Sequence, residues 1–392
     1  MKEQVFKRGI LNTYIIGAVP SYQLLDSITS DKDELFLFID FNNNVKGLYY
    51  PKMLEMILNE IKANDGKFPS ILINEWMLLQ NYFEEYKESR SNIKKLHVIY
   101  FSEGGESYYH KSLYKFYKST RKSALFQLPI SIVNDYKSYD DVGELMRAFL
   151  LSTWKWIEVF SQRSNILSIR LENLDADFIP ELLLRKFNIY KDNASYLILS
   201  SDGDMLQTLD IADNVYIYDS NINNIITSKT WINSKRYLDV NKRTNESNDI
   251  DILQETDITP DKIILFKAIV GDTSDHIPGI KGIGVKRFFN SFINEIPNSI
   301  RADDIDSIIK FCNERKSDNK ICNKIANNSD EFIKMVKLVS FKMLIEWLLQ
   351  NTIRYHDIKK IIDNNYNALV ESCNFKKLQK QSQADNMLNT KN

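Results

Sequence analysis

The chain has 392 residues, with 51 lysines and arginines against 52 aspartates and glutamates, a balance that excludes polyanion binding through bulk charge and leaves any such footprint local. This length exceeds what a single core usually holds, so two lobes or a core with appendages are expected. Three cysteines, Cys312, Cys322 and Cys373, fit neither a disulfide framework nor a zinc pattern, which points to a reducing intracellular setting such as a bacterial cytoplasm or a virus-infected cell; no apolar run is long enough to cross a membrane.

Residues 1–33 form an extension without a readable motif. Lys2, Lys7 and Arg8 precede an apolar stretch, but Asn12, Thr13 and Tyr14 interrupt it, so a secretion signal is not expected. Residues 35–39 are continuously apolar and end at Asp40, the pattern of a strand buried on both faces. Residues 51–62 read as an amphipathic helix. Residues 97–101 read as a second buried strand that runs into Ser102, Glu103, Gly104 and Gly105. From Tyr108 to Lys122, bases and aromatics alternate without an acid. A helix there would put Lys111, Lys115, Lys118 and Lys122 on one face, and the interleaved aromatics, Tyr117 among them, suit phosphate neutralisation and base stacking. The plainer alternative is a solvated helix that packs its aromatics on the core.

Residues 141–163 read as helical, and 177–187 as a helix with Pro180 in its first turn. Residues 196–200 and 215–218 give a third and a fourth strand. Residues 241–256 are polar and read as a loop near a lobe boundary. Thr259 and Pro260 have the chemistry of an N-cap and first helical position for a helix that reaches Val270. Beyond residue 291 the chain reads as mostly helical with a polar tail. Strands alternating with helices predict an α/β fold with a mainly parallel, twisted sheet, whose ligands sit beyond the carboxyl ends of the strands.

Acids gather at those ends. Asp40 closes the first strand, and a carboxylate there needs a cation or a metal to offset its desolvation. Asp202 and Asp204 flank Gly203 just after the third strand, so both can turn toward one ion; the alternative is a plain Asp–Gly turn. Asp175 and Asp177 precede a helix, where acids are also favoured by the helix dipole alone. Residues 271–287 read GDTSDHIPGIKGIGVKR. Asp272 and Asp275, three apart, can share a helical face and hold a divalent cation. The glycines that follow alternate with isoleucines, which anchors a tight turn and lets backbone amides approach a phosphate.

That last run resembles the helix–hairpin–helix region of the flap endonuclease and 5′–3′ exonuclease family, of phage or viral type, with His276 where the family usually has Asn and with Lys286 matching. The resemblance covers roughly residues 35–290. It implies a PIN-like nuclease domain over 35–258 with an arch segment at 105–125, a DNA-binding helix–hairpin–helix region over 259–300, and a helical region over 301–392 behind an N-terminal extension of 1–34. It implies metal ligands at Asp40, Asp175, Asp177, Asp202, Asp204, Asp272 and Asp275. Asp175 stands for a family Glu, and Phe178 replaces a third acid. After the second strand the family has Phe-Asp-Gly where this chain has Phe101-Ser102-Glu103-Gly104, so Glu103 and nearby Glu172 are further candidates.

In the arch, Leu113, Tyr114, Tyr117, Lys118 and Arg121 match the family and His110 replaces an Arg. Lys118 and Arg121 would contact the scissile phosphate. Lys111, Lys115, Tyr117, Lys122, Gly279, Gly282, Gly284, Lys286 and Arg287 would contact DNA. Two Mg²⁺ or Mn²⁺ ions are the implied cofactors, with K⁺ at the hairpin through backbone carbonyls. The expected function is hydrolysis of DNA phosphodiesters at 5′ ends, flaps and branches in replication or repair, by a monomer without membrane contact. The alternatives are removal of RNA from RNA–DNA hybrids, or a structure-specific DNA-binding protein with a weakened site.

Overall fold

The computed structural model describes residues 19–44, 70–119, 154–155, 157–159, 161, 166–187, 189–234 and 255–351. Six strands form one sheet in the order β3-β2-β1-β4-β5-β6. These are β1 (Glu34–Asp40), β2 (Lys95–Gly104), β3 (Ile166–Glu172), β4 (Ala194–Leu199), β5 (Val215–Asp219) and β6 (Asn224–Ile226). The first five run parallel, and only β6 is antiparallel to its neighbour.

Side-chain alternation on the central strands feeds two cores. Phe36 and Phe38 of β1, Ile99 and Phe101 of β2, and Tyr196 and Ile198 of β4 enter one; Leu35, Leu37, Ile39, Val98, Tyr100, Leu197 and Leu199 enter the other. This double burial is why these strands read as continuous apolar runs, and each large side chain so buried contributes about 1.5–3 kcal/mol. Helices α1 (Tyr22–Thr29) and α2 (Ser70–Glu88) cover the second face with Leu25, Ile28, Leu79, Phe83 and Tyr86. Arg90 fixes α1 by a two-pronged contact with Asp26 at 2.6 and 2.8 Å, so the chain ahead of β1 already belongs to the core.

The first face carries α4 (Ile179–Lys186), α5 (Lys262–Val270) and a helical group made of α7 (Ile305–Arg315), α8 (Lys320–Asn327), α9 (Ser329–Val339) and α10 (Phe341–Gln350). Two further short helices are α3 (Tyr108–Leu113) and α6 (Val285–Phe288).

Three local expectations need correction. β3 went unread because Ser168 and Arg170 break its apolar run, as an edge strand allows, and β6 is too short to show a period. α5 starts at Lys262 rather than at Pro260. Thr259 donates its hydroxyl to Asp261 at 2.5 Å and accepts from the Lys262 amide at 3.1 Å, so Thr259 to Asp261 form a separate turn that leads into the helix. The arch helix ends at Leu113, where Tyr114 turns extended, and Lys115 to Ser119 form a turn. The helix expected over 51–62, the arch beyond Ser119, most of 141–163, residues 241–254 and the polar tail lie outside the described residues. Among the described residues no helix is long and apolar enough to cross a membrane.

The strand order places β1 between β2 and β4, with crossovers leaving in opposite directions from that point. In open α/β sheets such a reversal leaves a crevice beyond the carboxyl ends of the two strands. Here those ends are Asp40 and the segment Ser200–Asp204.

Candidate metal centre

β1 delivers Asp40 to the crevice, where it accepts from the Asn43 amide at 3.0 Å and the Ser200 hydroxyl at 2.9 Å. After β4 the chain turns into a 3₁₀ helix over Gly203–Asp210. Asp202 caps that helix by accepting from the Asp204 amide at 2.9 Å, which turns both side chains toward the crevice. The Asp–Gly turn and the acid pair, alternatives in the sequence, are thus one object.

Asp177 comes from the turn ahead of α4. Its carboxylate, with those of Asp202 and Asp204, forms a triad whose oxygens lie within 4.8 Å of one another. Asp204, Asp272 and Asp275 form a second triad by the same measure, so Asp204 belongs to both.

The second triad is not built on a helical face. α5 stops at Gly271, whose φ of 94° ends it, and Asp272 and Ile277 then pair in a two-residue antiparallel bridge with amide contacts of 2.9 and 2.8 Å. The tight turn between them brings Asp275 back toward Asp272. His276 sits inside it at φ 60°, in the left-handed region that Asn, Asp and His tolerate best, which accounts for His at a position where Asn is usual. Gly279 closes the turn: a Cβ there would lie 2.5 Å from the Gly271 amide nitrogen. Gly279 is therefore a packing glycine facing the end of α5, and the expected phosphate contact there is corrected. Gly282, Gly284, Lys286 and Arg287 are exposed on the hairpin surface.

Crowding sets the electrostatics. Burial, and then the charge of Asp202, push the Asp40 carboxyl up to about 7, against the Asn43 amide that favours its ionised form. Burial raises Asp204 to about 7 as well; Lys267 opposes this, and Asp202, Asp275 and Asp272 add to it. Asp177 is raised well above the carboxylate range by burial and by Asp202. A set of hard oxygen donors that repel one another in this way fits a divalent cation.

Lys267 was not foreseen. It is buried on α5 and bridges the two arms of the second triad, touching Asp204 and reaching Asp272 at 2.8 Å. Burial alone would raise Asp272, but the Lys267 charge and hydrogen bond outweigh it and hold Asp272 down to about 2. The signal was present, since a lysine inside the apolar run KIILFKAIV cannot be buried without an anion beside it.

Asp175 stands apart from both triads. Its carboxylate is held by Lys118 at 3.1 Å, His110 at 3.1 Å and the Tyr117 hydroxyl at 2.9 Å. Burial opposes its ionisation, yet the Lys118 charge and the His110 hydrogen bond keep it well below the usual carboxylate range. An aspartate, one methylene shorter than the expected glutamate, is thus drawn to the arch and lies outside the two triads.

Tyr117 is corrected too. It is 4% exposed, stacks on His110 at 4.4 Å and reaches Asp275 at 3.2 Å, so it has no free face for a base. The neighbouring aromatic, Phe116, is 51% exposed with the Lys115 ammonium 4.8 Å above its ring. Lys111 pairs with Glu106 at 3.8 Å. Arg121 and Lys122 lie outside the described residues.

At the end of β2, Ser102 is buried and faces Asn42 at 3.3 Å, whereas the Glu103 charge is felt by both Asp40 and Lys118. Of the two positions, only Glu103 adds a negative charge that reaches Asp40 and Lys118. Phe178 is fully buried in the core, so no third carboxyl function stands in for it at that position. Glu172 ends β3, and its side chain lies outside the described part.

No family model matches the sequence. A 5′–3′ exonuclease of Buchnera aphidicola is 26% identical over 289 residues, covering 72% of this chain and 80% of its own length. One of Mycoplasmopsis pulmonis is 27% identical over 268 residues, covering 67% of this chain and 69% of its own. Among solved structures, the T5 D15 protein co-crystallised with metal ions superposes with a TM-score of 0.55 at 15% identity, covering 86% of this chain and 99% of that one. The T5 5′-exonuclease with zinc bound gives 0.55 at 14% identity over the same shares. At these identities the superpositions establish the fold.

Proposed function

We propose that this chain is a member of the flap endonuclease and 5′–3′ exonuclease family and acts as a divalent-metal-dependent 5′ nuclease hydrolysing DNA phosphodiesters at or near free 5′ ends, a reading supported by its similarity to 5′–3′ exonucleases and by the shared fold. The observation that carries this reading is the pair of carboxylate triads that share Asp204 at the crevice of the sheet. Asp177, Asp202 and Asp204 would hold one ion, with Asp40 and Glu103 beside it, and Asp204, Asp272 and Asp275 would hold the other. Mg²⁺ or Mn²⁺ suits these donors, and such ions supply a nucleophilic water at neutral pH and charge to stabilise the departing oxygen. Lys118 stays protonated because Asp175, Asp275, Asp177 and Glu103 outweigh the burial that would strip its proton, and as a cation it would meet the phosphate being cut. Lys267 holds Asp272 ionised and opposes the rise of Asp204. The exposed hairpin around Gly282 and Gly284, with Lys286 and Arg287, would grip the duplex backbone without reading sequence.

The direct test is a 5′-labelled DNA flap incubated with Mg²⁺ and with EDTA. Products that need Mg²⁺ are expected; an intact flap under Mg²⁺ and Mn²⁺, with the DNA bound, would discard the enzyme reading.

A pH dependence follows from the raised carboxyls. Below about pH 7, Asp40 and Asp204 carry protons in the ion-free protein, so an incoming cation must displace them. The half-saturating Mg²⁺ concentration for cleavage is expected to rise from pH 7 to pH 6 by about fivefold for each proton displaced, about thirtyfold for both, and to level off above pH 8. A flat Mg²⁺ requirement across that range would contradict the buried, self-repelling cluster.

Phe116 offers the exposed face that Tyr117 lacks, two residues before Lys118. Phe116→Ala is expected to weaken binding of a single-stranded 5′ flap about tenfold while leaving a flapless duplex unchanged, the loss of one base stacked on an aromatic. Fluorescence titration of the two substrates checks this, and equal losses on both would assign Phe116 no stacking role.

A further inference from the structure

The resemblance leads one to expect a K⁺ ion on the backbone carbonyls of the hairpin, and the residues present do not fit it. The Lys281 carbonyl accepts a hydrogen bond from the Lys324 ammonium, and the Gly282 carbonyl accepts from Arg287 at 2.6 Å. Lys324 arrives from α8, 43 residues further along the chain. Its ammonium lies against the turn: a Cβ on Gly282, whose φ is 79°, would sit 3.2 Å from it. Two successive carbonyls of the hairpin are thus taken by side-chain cations.

We infer that Lys324 is a tethered cation that replaces an exchangeable monovalent ion under the DNA-gripping hairpin. An ammonium and K⁺ carry the same charge, have similar radii and are both satisfied by carbonyl oxygens. The difference lies in attachment. α8 fixes the stem of Lys324: Ile321, Cys322 and Ile325 are buried in the core, and Asn319 caps the helix by accepting from the Ile321 and Cys322 amides at 2.8 and 3.2 Å. The Lys324 carbonyl is itself held by the Asn328 side chain at 2.9 Å. A cation delivered by a packed helix needs no binding equilibrium, so the carbonyls of the turn stay pointed inward and its amides outward whatever salt is present. It also adds a fixed positive charge beneath the surface that meets the phosphates.

The inference rests on the hairpin's being a DNA grip, and the test separates the two. Binding of a labelled duplex flap in EDTA is measured in KCl and in LiCl at equal ionic strength, beside thermal melting of the protein alone in the same salts. Wild type and Lys324→Arg are expected to bind equally in both salts. Lys324→Met, which keeps the stem, is expected to bind about fivefold to tenfold more weakly in LiCl and to recover in KCl, with a melting temperature that KCl raises and LiCl does not. A several-fold K⁺ preference in the wild type would overturn the inference. So would a Lys324→Met variant that matches wild type, or one that loses binding and melting temperature equally in both salts. Should the wild type bind no duplex in either salt, the nuclease reading falls, and the melting comparison still decides the role of Lys324.

Discussion

Asp204→Ala is expected to lower Mg²⁺-dependent flap cleavage about 10⁴-fold, a loss of about 5.5 kcal/mol in transition-state stabilisation. The reason is position. Asp177 and Asp275 each serve one triad, whereas Asp204 is common to both, so its removal thins both proposed ion sites at once. Asp177→Ala and Asp275→Ala should each cost less than Asp204→Ala. Binding of the flap should persist or tighten, because the change removes negative charge from a crevice that must accept a polyanion. Folding should survive as well. Removing a carboxyl that burial, and then the charges of Asp202, Asp275 and Asp272, hold at about 7 relieves desolvation and repulsion, and Lys267 keeps Asp272 as a partner. Single-turnover cleavage with saturating enzyme, beside a binding titration, reads the two effects separately. If Asp204→Ala proved no worse than Asp275→Ala, the shared ligand would be the wrong description of the site.

The parts of this site that were legible in the sequence are those where one local signal sufficed. β1, β2 and β4 announced themselves because parallel strands buried on both faces carry near-continuous apolar runs. The acids at their ends stood out because a carboxylate beside such a run has few structural uses. Asp272 and Asp275 were legible as a pair but not in their geometry, since spacing alone cannot tell a helical face from a turn pinned by Gly271 and Gly279. What stayed hidden depends on long-range contacts. Nothing local to Asp175 says that Lys118 and His110, more than sixty positions earlier for the histidine, will claim its carboxylate. Tyr117 is read as a stacking residue from its neighbours and is buried by them. Lys267 and Lys324 carry no motif at all; each is meaningful only because packing brings it to a carboxylate or a carbonyl.

Lys118→Met is expected to lower cleavage about 10²–10³-fold, as the loss of one positioned cation at a developing charge does. A second explanation for such a loss must be separated from it. Lys118 is also the main counter-charge of Asp175, a buried carboxylate, and stranding that charge destabilises a fold by about 3–5 kcal/mol when no other partner remains. His110 and Tyr117 remain in contact with Asp175, so the penalty here should be smaller. The backbone of Lys118 adds a constraint of its own. Its φ of 51° is left-handed, and its amide donates to the Asp275 carbonyl at 3.1 Å, tying the arch turn to the second triad. Methionine keeps that amide and the length of the stem. The double variant Lys118→Met, Asp175→Asn then discriminates: both members of the ion pair are gone and no charge is stranded, so thermal stability should return toward wild type. Cleavage should stay low if the Lys118 ammonium meets the phosphate. Recovery of cleavage in the double variant would instead make Lys118 a positioning residue that acts only by neutralising Asp175.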